Sequence, residues 1–316
     1  MADIIPVIAP APEFEARANA LLSDWRNGTF SFVEAVDQFN TLKYEALQAL
    51  HLANEALVER LMGIIRLARG HYDHAIRHFR TARELHEQLG DTERLLMCDN
   101  NIGEANRLKG ELERAHHILN NTYEAAGKHG YVYIQAYCKS NDGRTLNGLG
   151  RYSEALTALN EACELANRPT VRPGLVGLLS LIHTDLTITY LNLNNHLLAF
   201  ATAQAAVALG AESNDIRRQG QANRSMGRVL TVYTPPHTNS PTNPDVYFEA
   251  SLTQCRETRL DIEVAHTLFA HGESLTRRGH TECAAAKFRE ALLIYERLEL
   301  QTDVDKTKHA LAGLES

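Results

Sequence analysis

A repeat of 40 residues constrains this sequence more than any other feature. Three ten-residue segments align without gaps, each beginning with a glycine: GHYDHAIRHF from Gly70, GELERAHHIL from Gly110 and GRYSEALTAL from Gly150. Self-similarity at a fixed period of about 20 to 50 residues indicates an architecture in which each unit buries its apolar face against the next. The chain is therefore predicted to be an array of similar units.

Each unit has small residues at two fixed places and a large apolar residue at a third. A glycine stands seven residues before the turn glycine, an alanine five after it, and Phe or Leu four further on: Gly63, Gly103 and Gly143; Ala75, Ala115 and Ala155; Phe79, Leu119 and Leu159. A small residue in the first helix lets the second helix approach closely, where it should meet the alanine five residues past the turn, and the turn glycine supplies the left-handed conformation that ends the first helix. The pattern predicts pairs of antiparallel helices.

The register extends upstream to Phe30 and downstream through Asn194 to Gly279. Counted over the chain, it gives about seven helix pairs. After the last pair, Thr302–Leu314 reads as one more amphipathic helix, which an array needs to cover its terminal apolar face. We predict an all-α fold, a right-handed α-solenoid of about seven pairs with a C-terminal capping helix.

Two stretches interrupt the regular spacing. Arg168–Pro173 lengthens one connector and contains two prolines, which predicts a soft joint. Thr234–Asp245 holds four of the nine prolines and is predicted to protrude as a loop. In that interrupted unit Gly227 is expected to end one helix, and Tyr247 and Ala250 to open the next.

The arrangement of Gly, then Gly-x-Tyr-x-x-Ala, then Phe resembles the tetratricopeptide repeat (TPR). The resemblance covers Glu13–Glu299, although the period is 40 rather than about 34 residues and the consensus Trp and Pro are missing. Longer connectors such as Gln88–Thr92 look like the variant in kinesin light chains and bacterial signal-transducing regulators. We accordingly expect a disordered tail at 1–12, the TPR solenoid at 13–301 and the capping helix at 302–316.

The resemblance also implies a binding surface, because the first helix of each TPR pair lines the concave face of the array. Its offsets point to these peptide-binding residues: Asn100, Asn101, Glu104, Arg107, Ser140, Asn141, Arg144, Asn147, Thr184, Asp185, Arg224, Ser225 and Arg228. Amide side chains can grip both N–H and C=O of an extended peptide, and arginine offers a planar fork to a carboxylate.

The doublet Asn100-Asn101 resembles the asparagine pair at the same offset in kinesin light chains, where it helps to hold extended peptides. By that resemblance Asn100, Asn101, Asn141 and Arg144 are expected to form the central grip. The alternative is that these asparagines are solvated or bond neighbouring helices.

Neither a metal site nor an active site is predicted. His74 and His78 are spaced to share a metal ion, but the register places them on the outward face of a second helix, where a solvated surface is the favoured interpretation. The sequence contains no P-loop, GxGxxG, GxSxG or HExxH motif. We expect a non-enzymatic protein without cofactors.

Composition narrows the choice of partner and compartment. A formal net charge of -7 opposes binding to phosphate backbones or anionic lipid, so neither nucleic acid nor membrane is expected as a partner. The sequence shows no apolar run of about 18 to 20 residues. Five scattered cysteines without a CxxC pair are typical of free thiols in a reducing compartment, which predicts a cytoplasmic protein.

These observations favour an interaction scaffold whose concave groove binds an extended peptide segment of a protein partner. The alternative function is a regulatory sensor that changes curvature on binding a short signalling peptide, with the joint near 168–173 as its hinge. The sequence leaves the oligomeric state open.

Overall fold

The structure is a computed structural model that describes residues 9–26, 29–236, 240–258 and 260–314. Over those ranges the chain forms fifteen α-helices and no β-strand. By contacts it divides into two compact units, 1–149 and 150–316, called unit 1 and unit 2 below.

The helices follow one another along both units with short connectors. Unit 1 contains α1 (Pro12–Arg26), α2 (Phe32–Gln48), α3 (Leu52–Ala68), α4 (Tyr72–Leu89), α5 (Thr92–Lys109), α6 (Leu112–Lys128) and α7 (Val132–Gly148). Unit 2 contains α8 (Tyr152–Ala166), α9 (Arg172–Asn192), α10 (His196–Ser213), α11 (Ile216–Val232), α12 (Pro244–Glu257), α13 (Asp261–Arg277), α14 (Thr281–Arg297) and α15 (Gln301–Ala312). The fourteen helices α1 to α14 match the seven predicted pairs in number, and α15 follows them in the chain; the predicted all-α, TPR-like class is confirmed.

The small residues of the repeat lie where two helices of a pair come closest. A Cβ atom added to Gly63 on α3 would lie 2.5 Å from Cε1 of Phe79 on α4. In unit 2 a Cβ on Gly272 of α13 would lie 2.6 Å from Cε1 of Phe288 on α14. These distances are too short for any side chain, so the glycines allow the close approach that the sequence predicts. The nearest atoms belong to the phenylalanine rings, however, and not to the predicted alanine.

Many of the helices end at a turn residue in the left-handed backbone conformation. Gly70 has φ 74° and Gly110 has φ 91°, as predicted for the turn glycines. Leu50 and Glu299 occupy the same kind of turn with φ 50° and 57°. For residues that carry a Cβ atom this conformation costs about 1 to 2 kcal/mol.

The expected register of the interrupted pair is wrong. Gly227 does not end a helix, since α11 continues to Val232. A Cβ on Gly227 would lie 2.8 Å from Cζ of Phe248, so Gly227 is the small residue of this pair and Phe248 its large one. Pro244, one turn before Phe248, is buried at the place of Ala75 in α4.

The proline-rich insertion between α11 and α12 is fixed at its far end. The Asp245 carboxylate accepts hydrogen bonds from the Arg278 guanidinium and lies 2.9 Å from Nε2 of His271. Part of the predicted loop, 237–239, lies outside the described residues. Pro235 is buried, so the described start of the insertion turns back onto unit 2.

Each unit has its own apolar clusters. One in unit 1 joins α1, α2 and α3 around Phe14, Phe39 and Leu61. One in unit 2 includes Phe288 and Tyr295 of α14, against which Val304 of α15 packs. The terminal helix therefore covers the apolar side of α14 that would otherwise face water.

Three further expectations concern the ends, the cysteines and the membrane. Residues 1–8 of the predicted tail lie outside the described residues, and α1 begins at Pro12. All five cysteines are free. Contrary to the sequence expectation, α9 is long and apolar enough to span a membrane by length and composition alone, but 61% of its most apolar stretch is buried within the structure, as in a core helix.

Candidate functional site

In unit 1 the predicted asparagines bond each other. Nδ2 of Asn141 on α7 donates to Oδ1 of Asn100 on α5 at 3.1 Å, and both residues are more than nine-tenths buried. A buried amide pair of this kind stabilises the contact between two helices. Asn100 and Asn141 thus bond neighbouring helices, which is the alternative that the sequence left open.

A carboxylate between two guanidiniums forms the centre of the unit 1 surface. Arg107 donates to both carboxylate oxygens of Glu104 at 2.7 and 2.8 Å, and Nη1 of Arg144 donates to Glu104 Oε1 at 2.9 Å. Burial raises the pKa of Glu104, but the two guanidiniums outweigh burial and hold that pKa at about 2. Glu104 is therefore ionised at neutral pH and joins α5 to α7.

The remaining predicted residues of unit 1 differ in exposure. Ser140 is completely buried, and its hydroxyl has no hydrogen-bond partner among the described residues. Asn101 and Asn147 are partly exposed. Asn101 makes no side-chain hydrogen bond within the described part of the chain, so its amide is open to a ligand.

Unit 2 contains a groove of about 820 Å³. Most of its walls come from α9, α11, α13 and α15, to which α10 adds His196 and α14 adds Phe288. The apolar side chains are Ile188, Leu191, Val232, Ala270, Phe288, Ala310 and Leu314, and the polar ones include Asn192, Asn194, Thr231 and Ser274. A mixture of apolar walls with a few amide and hydroxyl groups is typical of a binding site.

Positive charge exceeds negative charge along this groove. Nη2 of Arg228 lies 3.5 Å from Oε2 of Glu273, a weak ion pair. Burial and the nearby Arg224 lower the pKa of Arg228, and Glu273 only partly offsets them. Arg277 is exposed and has no ion pair in the described ranges, so it adds an uncompensated positive charge.

The other predicted residues of unit 2 are either ion-paired between helices or buried. Nη1 of Arg224 on α11 lies 2.9 Å from Oε2 of Glu263 on α13, and burial of Glu263 is outweighed by Arg224, which holds the carboxyl pKa at about 2. Asp185, Thr184 and Ser225 are buried. Of the predicted residues in unit 2, Arg228 alone lines the groove.

Sequence reasoning missed the contribution of α13 and α15 to the groove. Glu104, Arg144 and Arg228 each follow the small glycine of their helix directly. Glu273 directly follows Gly272, so the same offset could have predicted it as a groove residue. His309 of α15 carried no such signal, because α15 lacks the repeat glycine.

The histidine series does not form a metal site in the described part of the chain. No group of three His, Cys, Asp or Glu side chains is placed to hold a metal ion there. His78 is not on a solvated face, contrary to expectation: its Nδ1 lies 2.6 Å from Oε2 of buried Glu59, which also pairs with Lys43. That contact joins α3 and α4.

Comparison with known proteins relates the chain to solved structures only. No protein-family model matches the sequence, and no relative is found among curated proteins. A Rap protein in complex with Competence and Sporulation Factor aligns over 89% of this chain and 80% of its own, with 14% identity and a TM-score of 0.63. The apo form of RapI aligns over 91% and 99%, with 11% identity and a TM-score of 0.66.

The chain has the fold of a TPR-type repeat protein. The repeat glycines predict that fold, and the shared architecture with the two Rap proteins confirms it. The TPR2AB domain of yeast Sti1, solved in complex with pHSP90, aligns over 83% of this chain and 98% of its own at 12% identity. Its TM-score of 0.32 is too low to indicate a common fold.

Proposed function

We propose that this protein is a non-enzymatic interaction scaffold that binds an extended peptide segment of a protein partner, chiefly in the unit 2 groove. The proposed partner is a protein or peptide in the cytoplasm, without nucleic acid, membrane or cofactor. The observation that carries the proposal is the groove itself, which measures about 820 Å³ and is lined by both apolar side chains and hydrogen-bonding groups.

The groove offers what an extended peptide requires. Asn192 and Asn194 can both donate to and accept from a peptide backbone. Ile188, Leu191 and Leu314 provide apolar surface for side chains. Main-chain hydrogen bonds would give affinity and the apolar contacts specificity.

The charges of the groove favour one kind of segment. Arg277 has no ion pair among the described residues, and Arg228 is only weakly paired. A carboxylate on the bound segment would give both guanidiniums a partner through charge-assisted hydrogen bonds. A peptide with net negative charge should bind more tightly than a neutral peptide of the same shape.

Unit 1 is proposed as a second, weaker contact. Its exposed polar groups are Asn101, Asn147 and the edge of Arg144, since Asn100 and Asn141 satisfy each other. The internal bonds of this surface leave fewer groups for a ligand. Binding energy is accordingly assigned mainly to unit 2.

The solved relatives support an interaction role. A Rap protein with the same fold has been solved with Competence and Sporulation Factor, so this architecture is compatible with binding a factor. That support is limited to the fold because the identity is 14%.

The test is selection from a displayed peptide library with the full chain, followed by calorimetry on the enriched peptide. We expect Arg277→Gln to weaken binding about tenfold, the loss of one charge-assisted contact. Arg289→Gln, an exposed arginine of α14 outside the groove, is the matched control and should bind as the native chain does. Enrichment of no peptide, or equal affinity of both variants, would refute the proposal.

A regulatory sensor is the second candidate, favoured by the same Rap likeness. In that case binding of the enriched peptide should change the small-angle scattering profile of the full chain. Superimposable profiles with and without peptide would contradict the sensor and favour the rigid scaffold.

A further inference from the structure

A second cavity, in unit 1, differs in character from the groove. It measures about 270 Å³ and lies at the turn between α3 and α4, where the end of α5 completes it. Its lining is polar and mostly basic: Arg66, His71, His74, Lys109 and Asp73. Nothing in the proposed function uses this site.

Two cations of this cavity are fixed in position by their neighbours. The Arg66 guanidinium lies over the Phe32 ring, 5.1 Å from its centroid, and makes no side-chain hydrogen bond or ion pair in the described part of the chain. Nζ of Lys109 lies 2.8 Å from Oδ1 of Asp73 and 2.8 Å from Oε1 of Glu111. A guanidinium held against a ring without an anionic partner is prepared to receive an anion.

The two histidines add donors on the α4 side. The rings of His71 and His74 lie 6.3 Å apart. The charged and titratable groups placed around His74 by α3, α4 and α5 are Arg66, His71, Asp73, Arg77, His78 and Lys109. Burial and then repulsion from Arg77 and Arg66 lower the pKa of His74.

We propose that this cavity binds a phosphate group. Arg66, Lys109 and the two imidazoles bring donors from three helices to one cavity. A phosphate has enough oxygens to engage donors from several directions at once, whereas a carboxylate has only two. The volume leaves room for a small group esterified to the phosphate, so free phosphate and a phosphate monoester share the required chemistry.

The Asp73 carboxylate gives the proposal a directional test. It repels a bound anion and occupies Lys109, so Asp73→Asn should strengthen phosphate binding severalfold. Arg66→Gln should weaken it about tenfold. Arg80→Gln, an exposed arginine of α4 outside the cavity, is the matched control and should leave the affinity unchanged.

The experiment is calorimetric titration of the full chain with inorganic phosphate and with O-phosphoserine at constant ionic strength. Tighter binding of O-phosphoserine would identify the site as one for monoesters, and equal or weaker binding as one for free phosphate. Equal affinity of the native chain and Arg66→Gln, an equal loss in Arg80→Gln, or no saturable heat with either probe would overturn the proposal.

A second readout reports on the histidines. Bound phosphate offsets the repulsion that His74 experiences from its neighbouring cations, so its imidazole should titrate at higher pH in the presence of phosphate. The measurement is the NMR shift of the His74 ring protons against pH, with Arg66→Gln for comparison. An unchanged titration in saturating phosphate would overturn the assignment of His74 to the site.

Discussion

The two units differ in the contacts made by the residue that directly follows the small glycine of a helix. In unit 1 these residues are Glu104 of α5 and Arg144 of α7, and Oε1 of Glu104 lies 2.9 Å from Nη1 of Arg144. In unit 2 the corresponding residues are Arg228 of α11 and Glu273 of α13, so the cation comes first in the chain. Nη2 of Arg228 lies 3.5 Å from Oε2 of Glu273. The first pair closes a surface, whereas the second lies at the wall of a groove.

The residues one helical turn further along explain the difference. In unit 1 this place is held on α5 by Arg107, whose long side chain reaches back to Glu104. In unit 2 the same place is held on α11 and α13 by Thr231 and Thr276, which are too short to fill the space. The repeat therefore predicts where helices meet, whereas the length of the side chain one turn further along differs between the closed surface and the groove.

The largest expected effect concerns Glu104, the carboxylate that Arg107 and Arg144 share in unit 1. Glu104→Gln removes the carboxylate that Arg107 and Arg144 share, and the loss of a largely buried ion pair costs about 3 kcal/mol of unfolding free energy. Glu273→Gln removes a half-exposed, longer ion pair and should cost less than about 1 kcal/mol. Urea unfolding of both variants measures the difference, and equal losses would break the comparison.

The pH dependence of the unfolding free energy gives a second test of the difference between Glu104 and Glu273. Glu104 titrates at about 2 in the folded chain against an ordinary 4.5, so its stabilisation is complete above pH 4.5 and is lost as pH falls toward 2. Glu104→Gln should flatten the stability curve in that window. Glu273→Gln should keep the native slope, because Glu263 and Glu104 remain in place.

The next effect concerns what the units share. Gly63→Ala and Gly272→Ala each force a Cβ against a phenylalanine ring and should destabilise the chain by about 2 kcal/mol through overpacking. Gly174→Ala is the control, since a Cβ there meets nothing within 4 Å. Thermal unfolding compares the three variants. A tolerated alanine in one unit alone would show that the helix spacing is not common to both.

The smallest effect lies at the turns. Leu50 has a left-handed backbone and is 88% exposed, so Leu50→Gly removes strain without loss of packing and should stabilise unit 1 by about 1 kcal/mol. Leu50→Ala keeps the Cβ atom and should give no gain. Glu299→Gly is the corresponding change in unit 2, and opposite signs for the two glycine variants would contradict a common turn geometry.

The sequence predicted the features that depend on sterics over short distances. Gly63 and Gly272 each allow one close approach, Gly70 and Gly110 each supply one left-handed conformation, and the spacing alone located them. The interrupted pair was predicted wrongly because Phe79 follows Gly63 by 16 residues whereas Phe248 follows Gly227 by 21. The insertion changed the count while the packing partner stayed the same.

The binding surface was less accessible to sequence reasoning. The offsets identified which residues share a helix face, but the bond between Asn100 and Asn141 depends on the distance between two helices some 40 residues apart in sequence. No offset distinguishes an amide that meets a ligand from one that meets another amide. The groove likewise arises from α15 and from side-chain length, neither of which the repeat pattern encodes.

The proline-rich insertion makes unit 2 a convenient place for protein engineering. Tyr233 N–H donates to the Val229 carbonyl at one end, and Asp245 is held by Arg278 at the other, so both attachment points are fixed by the fold. Each doubling of the length of a flexible loop costs only about 0.6 kcal/mol. Because the insertion follows α11, a helix of the groove, a reporter domain or fluorophore inserted there should report occupancy of the proposed binding site.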